Sequence, residues 1–205
     1  MKILHISDTH NQHKLLTGLP QADIIVHSGD FTLAGSEDEA YDFMNWFIDL
    51  PYAHKIFIAG NHDGCMYGAD GIEGLPDNVH YLCNSGCCID GVNFYGIPMF
   101  MEDDEDGKLN EFYDRIPENT DVLITHQPPY GICDITDYGT GPKSHGNGVL
   151  LERVNQLHLH YHFFGHEHDA YGVEKYENTV YSNASLVDES YNLSTSHKPK
   201  LFLYR

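Results

Sequence analysis

Ile56-Phe57-Ile58-Ala59-Gly60-Asn61-His62-Asp63 is the stretch on which the reading of this chain turns. Four apolar residues, too few for a helix, read as a buried strand. A glycine then breaks the run, and side chains rich in oxygen and nitrogen lone pairs follow at once. The same pattern recurs on both sides. Ile3–Ile6 leads into Ser7-Asp8-Thr9-His10, Ile24–Val26 into Gly29-Asp30, Val122–Ile124 into Thr125-His126, and Phe163–Phe164 into Gly165-His166-Glu167-His168. If these strands are neighbours in one sheet, their carboxyl ends meet at one edge, where open α/β sheets bind ligands.

The residue types at these ends suit hard-to-borderline divalent cations. Asp8 and His10 stand two apart, so on extended backbone they point to the same side. Gly29 permits a sharp turn that brings the Asp30 carboxylate to its strand end, and one carboxylate has an oxygen for each of two cations. Asn61 adds a neutral oxygen, and His126, His166 and His168 complete two sites. Charge counting fits: two carboxylates and a bridging hydroxide against two divalent cations leave about one net positive charge, which matches a phosphate-ester anion. Such a pair clamps the attacking and leaving oxygens of an in-line displacement.

Between the strands, Ser36 and Glu39 form a capping box ahead of a helix over Glu37–Leu50. Its apolar stripe is Ala40, Phe43, Met44, Phe47 and Ile48, and Pro51 ends it. Further helices are expected at Leu109–Ile116 and Val149–Gln156. Val79–Leu82, Cys87–Ile89 and Val92–Ile97 read as a meander, and Glu174–Tyr176, Val180–Ser182 and Leu201–Tyr204 as similar short strands. An α/β chain that alternates first and adds hairpins later is satisfied by two sheets face to face with helices outside. The acidic run Glu102–Asp106 lacks calcium-loop spacing and reads as a solvated loop.

The chain has 205 residues, 41% apolar, enough for a sizeable core and read as one domain spanning 1–205. With 31 acidic against 11 basic residues its formal charge is −20. That surface repels long nucleic acid but leaves room for a small phosphate ester, since metal charge dominates locally. Five cysteines without framework spacing point to buried thiols and a reducing, cytoplasmic setting. No run approaches membrane length. The oligomeric state is not encoded in these patterns.

The five blocks Asp8-x-His10, Gly29-Asp30, Gly60-Asn61-His62-Asp63, His126 and Gly165-His166-x-His168 resemble the calcineurin-like metallophosphoesterase superfamily. Thr125–Gly131 and Tyr181–Ser185 further resemble its small phosphodiesterase branch. The resemblance implies a four-layer α/β/β/α sandwich with two mixed sheets. It implies one metal on Asp8, His10, Asp30 and His168, and a second on Asp30, Asn61, His126 and His166. Manganese, iron, zinc or nickel would serve. It also implies that His62 holds the phosphate and protonates the leaving oxygen, a role suited to its pKa range. Asp63 would orient His62 or hold the turn, and His145, in the Gly-rich loop Gly141–Gly148, would contact substrate together with Asn61.

The reading that follows is a metal-dependent phosphoesterase using a two-metal-bridged hydroxide, more suited to diesters. Protein phosphatase relatives carry Gly-Asp-x-x-Asp-Arg-Gly, whereas this chain reads Gly29-Asp30-Phe31-Thr32-Leu33-Ala34-Gly35; the arginine that would grip a monoester dianion is missing from that block. The substrate would be small, nucleotides included. The competing reading is a non-catalytic scaffold of the same fold. His27 reads equally as a core residue or a support behind the ligands, and Cys65 as a pocket residue. His158, His160 and His162 read as one polar strand face.

Overall fold

The computed structural model describes residues 1–205. In chain order its strands are β1 (Lys2–Ile6), β2 (Ile24–His27), β3 (His54–Phe57), β4 (Val79–Tyr81), β5 (Ser85–Ile89), β6 (Val92–Ile97), β7 (Val122–Thr125), β8 (Ile135–Thr136), β9 (Lys143–Ser144), β10 (Tyr161–Phe164), β11 (Gly172–Tyr176), β12 (Thr179–Asn183) and β13 (Lys200–Leu203). The helices are α1 (Glu37–Asp49), α2 (Met101–Glu105), α3 (Lys108–Asp114) and α4 (Gly148–Val154).

Two mixed sheets result, one ordered β13-β1-β2-β3-β4 and the other β11-β12-β10-β7-β6-β5, beside a small β8-β9 hairpin. The strands leading into the polar clusters are parallel within each sheet: β1, β2 and β3 in the first, β7 and β10 in the second. The polar clusters therefore come from two sheets rather than one, and their carboxyl ends lie at the same rim of the sandwich.

Strand alternation sets the layers. Ile3, Ile24, Val26, Ile56, Val122, Ile124 and Phe163 share the core between the sheets. Their neighbours Leu4, Ile25 and Phe57 face the opposite way and pack with Phe43 and Phe47 of α1. Leu123 and Phe164 pack with Leu109 and Tyr113 of α3 and Leu150 and Val154 of α4. Helix, sheet, sheet, helix is the order of layers. Helix α1 starts as its sequence requires: the Ser36 hydroxyl accepts from Glu39 N while the Glu39 carboxylate accepts from Ser36 N. Phe43 and Phe47, both fully buried, each contribute about 2–3 kcal/mol of apolar transfer.

Several local expectations are corrected. The first meander does not exist: β4 pairs parallel with β3, while β5 and β6 form a hairpin in the other sheet. Strand β13 does not join β11 and β12 but lies antiparallel to β1. Residues Met101–Glu105 form a short helix rather than a loop, with Glu102, Asp103 and Asp104 in its first turn, where the helix dipole favours acids. His158 and His160 precede β10, so only His162 is on that strand. All five cysteines are free, and Cys65 packs on the α1-side core. No helix is long and apolar enough to cross a membrane.

Candidate metal centre

Four of the residues read as ligands leave their strands with left-handed backbone: Asp8 (φ 49°), His10 (φ 38°), Asp30 (φ 56°) and His166 (φ 70°). That conformation is costly for residues with a Cβ and clusters at functional sites. Here it bends each chain end so that its side chain turns inward. Gly29 takes φ 103°, and a Cβ there would lie 2.9 Å from Gly60 N and against the His126 ring. Glycine is thus required where the β2 and β3 ends pass each other.

The side chains converge. Nε2 of His10 is 3.6 Å from Asp30 Oδ2 and 4.0 Å from Asp8 Oδ1. Nε2 of His168 is 3.5 Å from Asp8 Oδ1, and Nε2 of His126 is 3.3 Å from Asp30 Oδ2. Asn61 Oδ1 lies 3.0 Å from His126 Nε2 and 2.9 Å from His166 Nδ1. Asp8, His10 and His168 form one ligand-like group, and Asp8, Asp30 and His126 another. All seven residues read as metal ligands come together.

Their outward nitrogens are already committed. His10 Nδ1 donates to Thr32 O at 3.1 Å, His126 Nδ1 to Ser28 O at 2.9 Å and His168 Nδ1 to Asp188 O at 3.1 Å. A neutral imidazole that donates from Nδ1 carries its lone pair on Nε2. Three Nε2 atoms therefore face the centre, those of His10 and His168 only 3.3 Å apart. Two bare lone pairs at that distance repel, so a bound cation or a proton must lie between them. Backbone partners behind ligating histidines are also what orients such ligands in metal sites. The residues present fit divalent cations.

The electrostatics make the same demand. Burial by itself would lower the His126 pKa, but the facing Asp30 and Asp8 carboxylates raise it to about 10. Burial likewise opposes, and the facing Asp8 carboxylate drives, the rise of His168 to about 9. Against the penalty of burial, the neighbouring histidines hold both Asp8 and Asp30 below the usual carboxylate range. Burial dominates at His10, which falls to about 4, and lowers His166. No lysine or arginine hydrogen-bonds or ion-pairs with these residues, so cations or bound protons must balance the two aspartates.

His62 borders the centre. Its backbone N donates to Asp30 Oδ1 at 2.8 Å, and its Nδ1 donates to Leu33 O at 2.9 Å. Asp63 makes no hydrogen bond to that ring; of the two roles read for it, orienting His62 or holding the turn, its contacts match the second. Its buried carboxylate instead accepts from Asp30 N (2.9 Å), Thr32 N (2.9 Å) and Gly60 N (2.8 Å), welding the β2 and β3 turns together. His145 is not among the converging side chains. Its ring packs edge-on to Tyr138 at 4.8 Å, and the Tyr138 hydroxyl donates to the buried Glu167, whose Oε1 is 3.7 Å from His166 Nε2.

Sequence reasoning assigned no role to four residues that support the site. Ser185 donates to Asp8 Oδ2, and Asn183 accepts from Ser185. Glu167 backs His166, and Tyr191 borders His62. The stretch Tyr181–Ser185 carried a signal through its resemblance; Tyr191 carried none. His27 combines both readings: its ring packs against Phe43 at 4.9 Å in the α1-side core, and its Nε2 lies 3.0 Å from Thr9 Oγ1, between Asp8 and His10 in the chain.

A calcineurin-like phosphoesterase family profile matches residues 1–170. A UPF0046 protein of Caenorhabditis elegans is 34% identical over 218 residues, spanning 95% of this chain and 73% of that protein. Human metallophosphoesterase domain-containing protein 1 is 31% identical over 221 residues, spanning 91% of this chain and 66% of that protein. Among solved structures, TT1561 of Thermus thermophilus superposes with a TM-score of 0.62 at 11% identity, covering 96% of this chain and 98% of that one, a likeness of fold alone. With its ligand-like centre at the strand ends and its sandwich of two sheets, this chain belongs to the calcineurin-like phosphoesterase family.

Proposed function

We propose that this protein is a metal-dependent phosphodiesterase with a two-ion centre. Asp8, His10, Asp30 and His168 would hold one ion; Asp30, Asn61, His126 and His166 would hold the other. Divalent ions there would supply Lewis-acid charge for the phosphoryl oxygens and activate water near neutral pH. The mixed oxygen and nitrogen set suits manganese, iron, zinc or nickel.

The remaining chemistry falls to the protein. His62 is anchored through Nδ1 to Leu33 O, so a second proton would sit on Nε2, 3.5 Å from the Tyr191 hydroxyl. From there it donates to the ester oxygen as the P–O bond breaks, so the alcohol leaves neutral while water oxygen adds to phosphorus. The absence of a basic side chain in contact with the site favours a diester monoanion over a monoester dianion. A small ester fits a surface as acidic as this one, which disfavours long nucleic acid.

The observation that carries this reading is the meeting of three imidazole Nε2 atoms and two carboxylates from the ends of β1, β2, β7 and β10. Hydrolysis of bis-p-nitrophenyl phosphate by the manganese-loaded chain tests it. Turnover no greater than that of His62→Ala would remove the catalytic claim. Less than one equivalent of tightly held metal after loading with manganese or zinc would favour the scaffold reading instead.

A further inference from the structure

Tyr191 stands among the histidines of the site. Its ring lies edge-on to His10 at 4.8 Å between centroids, tilted to His62 at 5.5 Å and edge-on to His168 at 5.6 Å. Its hydroxyl is 3.5 Å from His62 Nε2. Because His62 Nδ1 donates to Leu33 O, Nε2 is the acceptor in the neutral ring and the phenol is the donor. His10 and His168 beneath it are buried and His62 is half-buried, yet Tyr191 is 38% exposed. It is therefore the surface that a molecule entering beside His62 meets.

The ring is held there deliberately. Tyr191 has left-handed backbone at φ 59°. Asp188 secures that bend by accepting from Ser190 N at 2.9 Å and Asn192 N at 3.0 Å. The same loop takes the Nδ1 proton of His168 on Asp188 O, and Gln12 donates to the Tyr191 carbonyl.

We propose that Tyr191 receives the leaving group: its hydroxyl steadies His62 Nε2 on the leaving-group side, and its exposed ring gives an apolar, planar ester group a face to lie against. The substrate class is then a phosphodiester whose departing alcohol carries an aromatic or similarly flat face. This rests on the phosphodiesterase reading for the direction of attack, but it can be tested by binding alone.

The experiment compares the manganese-loaded wild type with Tyr191→Ala and Tyr191→Phe by calorimetry, using diphenyl phosphate and inorganic phosphate as probes. Tyr191→Ala should weaken diphenyl phosphate about five- to tenfold, the worth of one aromatic contact, and leave phosphate within about twofold. Tyr191→Phe keeps the ring and should keep diphenyl phosphate affinity. With bis-p-nitrophenyl phosphate it should instead lower kcat at constant KM, and more so for esters of weaker acids. Unchanged diphenyl phosphate binding in Tyr191→Ala, or wild type that binds neither probe, overturns the proposal. Equal weakening of both probes, or loss of bound manganese, overturns it too, because the loop would then act only by holding His168. If the binding contrast appears while the wild type turns over no diester, the hydrolase reading falls and the assignment of Tyr191 stands.

Discussion

The Ser185 hydroxyl hydrogen-bonds Oδ2 of Asp8 at 2.8 Å across 177 residues of chain. His166 N also donates to this carboxylate, 3.1 Å from Oδ1 and 3.2 Å from Oδ2. Oδ1 is thereby turned toward His10 and His168. The carboxylate is presented in one orientation instead of being left to choose one when a cation arrives.

Ser185→Ala should consequently leave the fold in place and weaken the centre. Losing one buried hydrogen bond costs about 1 kcal/mol of stability. Losing a supporting contact to a ligand costs about tenfold in metal affinity. Manganese titration of wild type and variant, paired with urea unfolding of each, separates the two effects. Equal metal affinity would show that His166 N alone orients Asp8.

Asp63 belongs to the fold more than to the chemistry. Its two oxygens satisfy backbone N–H groups of Asp30, Thr32 and Gly60 and the hydroxyl of Thr32. Asn at this position would turn an amide NH₂ toward one set of those donors. Asp63→Asn and Asp63→Ala should each destabilise by about 3 kcal/mol, since buried donors lose their acceptor. Urea midpoints check this. A variant with wild-type stability and lost activity would return Asp63 to the catalytic set.

Gly165→Ala is a sharper probe of closeness. A Cβ on Gly165 would run into the Asp8 carboxylate and the Ser7 side chain. Neither can retreat, because both are fully buried. The substitution should abolish tight metal binding and lower stability by about 1–3 kcal/mol, the usual cost of overpacking. Metal content after loading, with circular dichroism as the check on folding, reads it out.

The parts of this molecule legible in its sequence are those written locally. Ile3-Leu4 and Ile24-Ile25-Val26 announce strands buried on both faces, and Ser36 with Glu39 announces the start of α1. The converging polar residues are legible because each follows such a strand closely. Other features depend on partners remote in sequence. β13 pairs with β1 from the far end of the chain, and β4 leaves its neighbours β5 and β6 for the other sheet. Tyr191 reaches His62 across 129 residues. Asp63 admits two readings, because one polar residue in a turn looks the same whether it meets a ring or a row of amides.

Acid should unfold the protein earlier than its carboxylates alone would. Burial lowers His162 from 6.5 to about 3, and burial, the leading cause, likewise lowers His27 to about 3. Above pH 6.5 these histidines are neutral in both states and contribute no slope. Below it the unfolded chain takes up protons that the native state refuses, so stability falls as pH falls, until the native groups titrate near 3. Each contributes about 1.4 kcal/mol per pH unit in that window. His126 and His168, whose pKa values are raised, are protonated in both states below 6.5 in the metal-free protein and add nothing there. Asp8 and Asp30, held low, add their loss only below the ordinary carboxylate range, whereas Asp63, raised to about 7 by burial and Asp30, binds its proton first in the native state and offsets the slope of one histidine between about 7 and 4. Urea unfolding of the metal-free chain at intervals from pH 7 to 4.5 should show this decline. His162→Gln, although less stable throughout, should decline less steeply by about one proton. Equal slopes for wild type and His162→Gln down to pH 5 would mean that the His162 ring is charged inside the native protein, contrary to its burial.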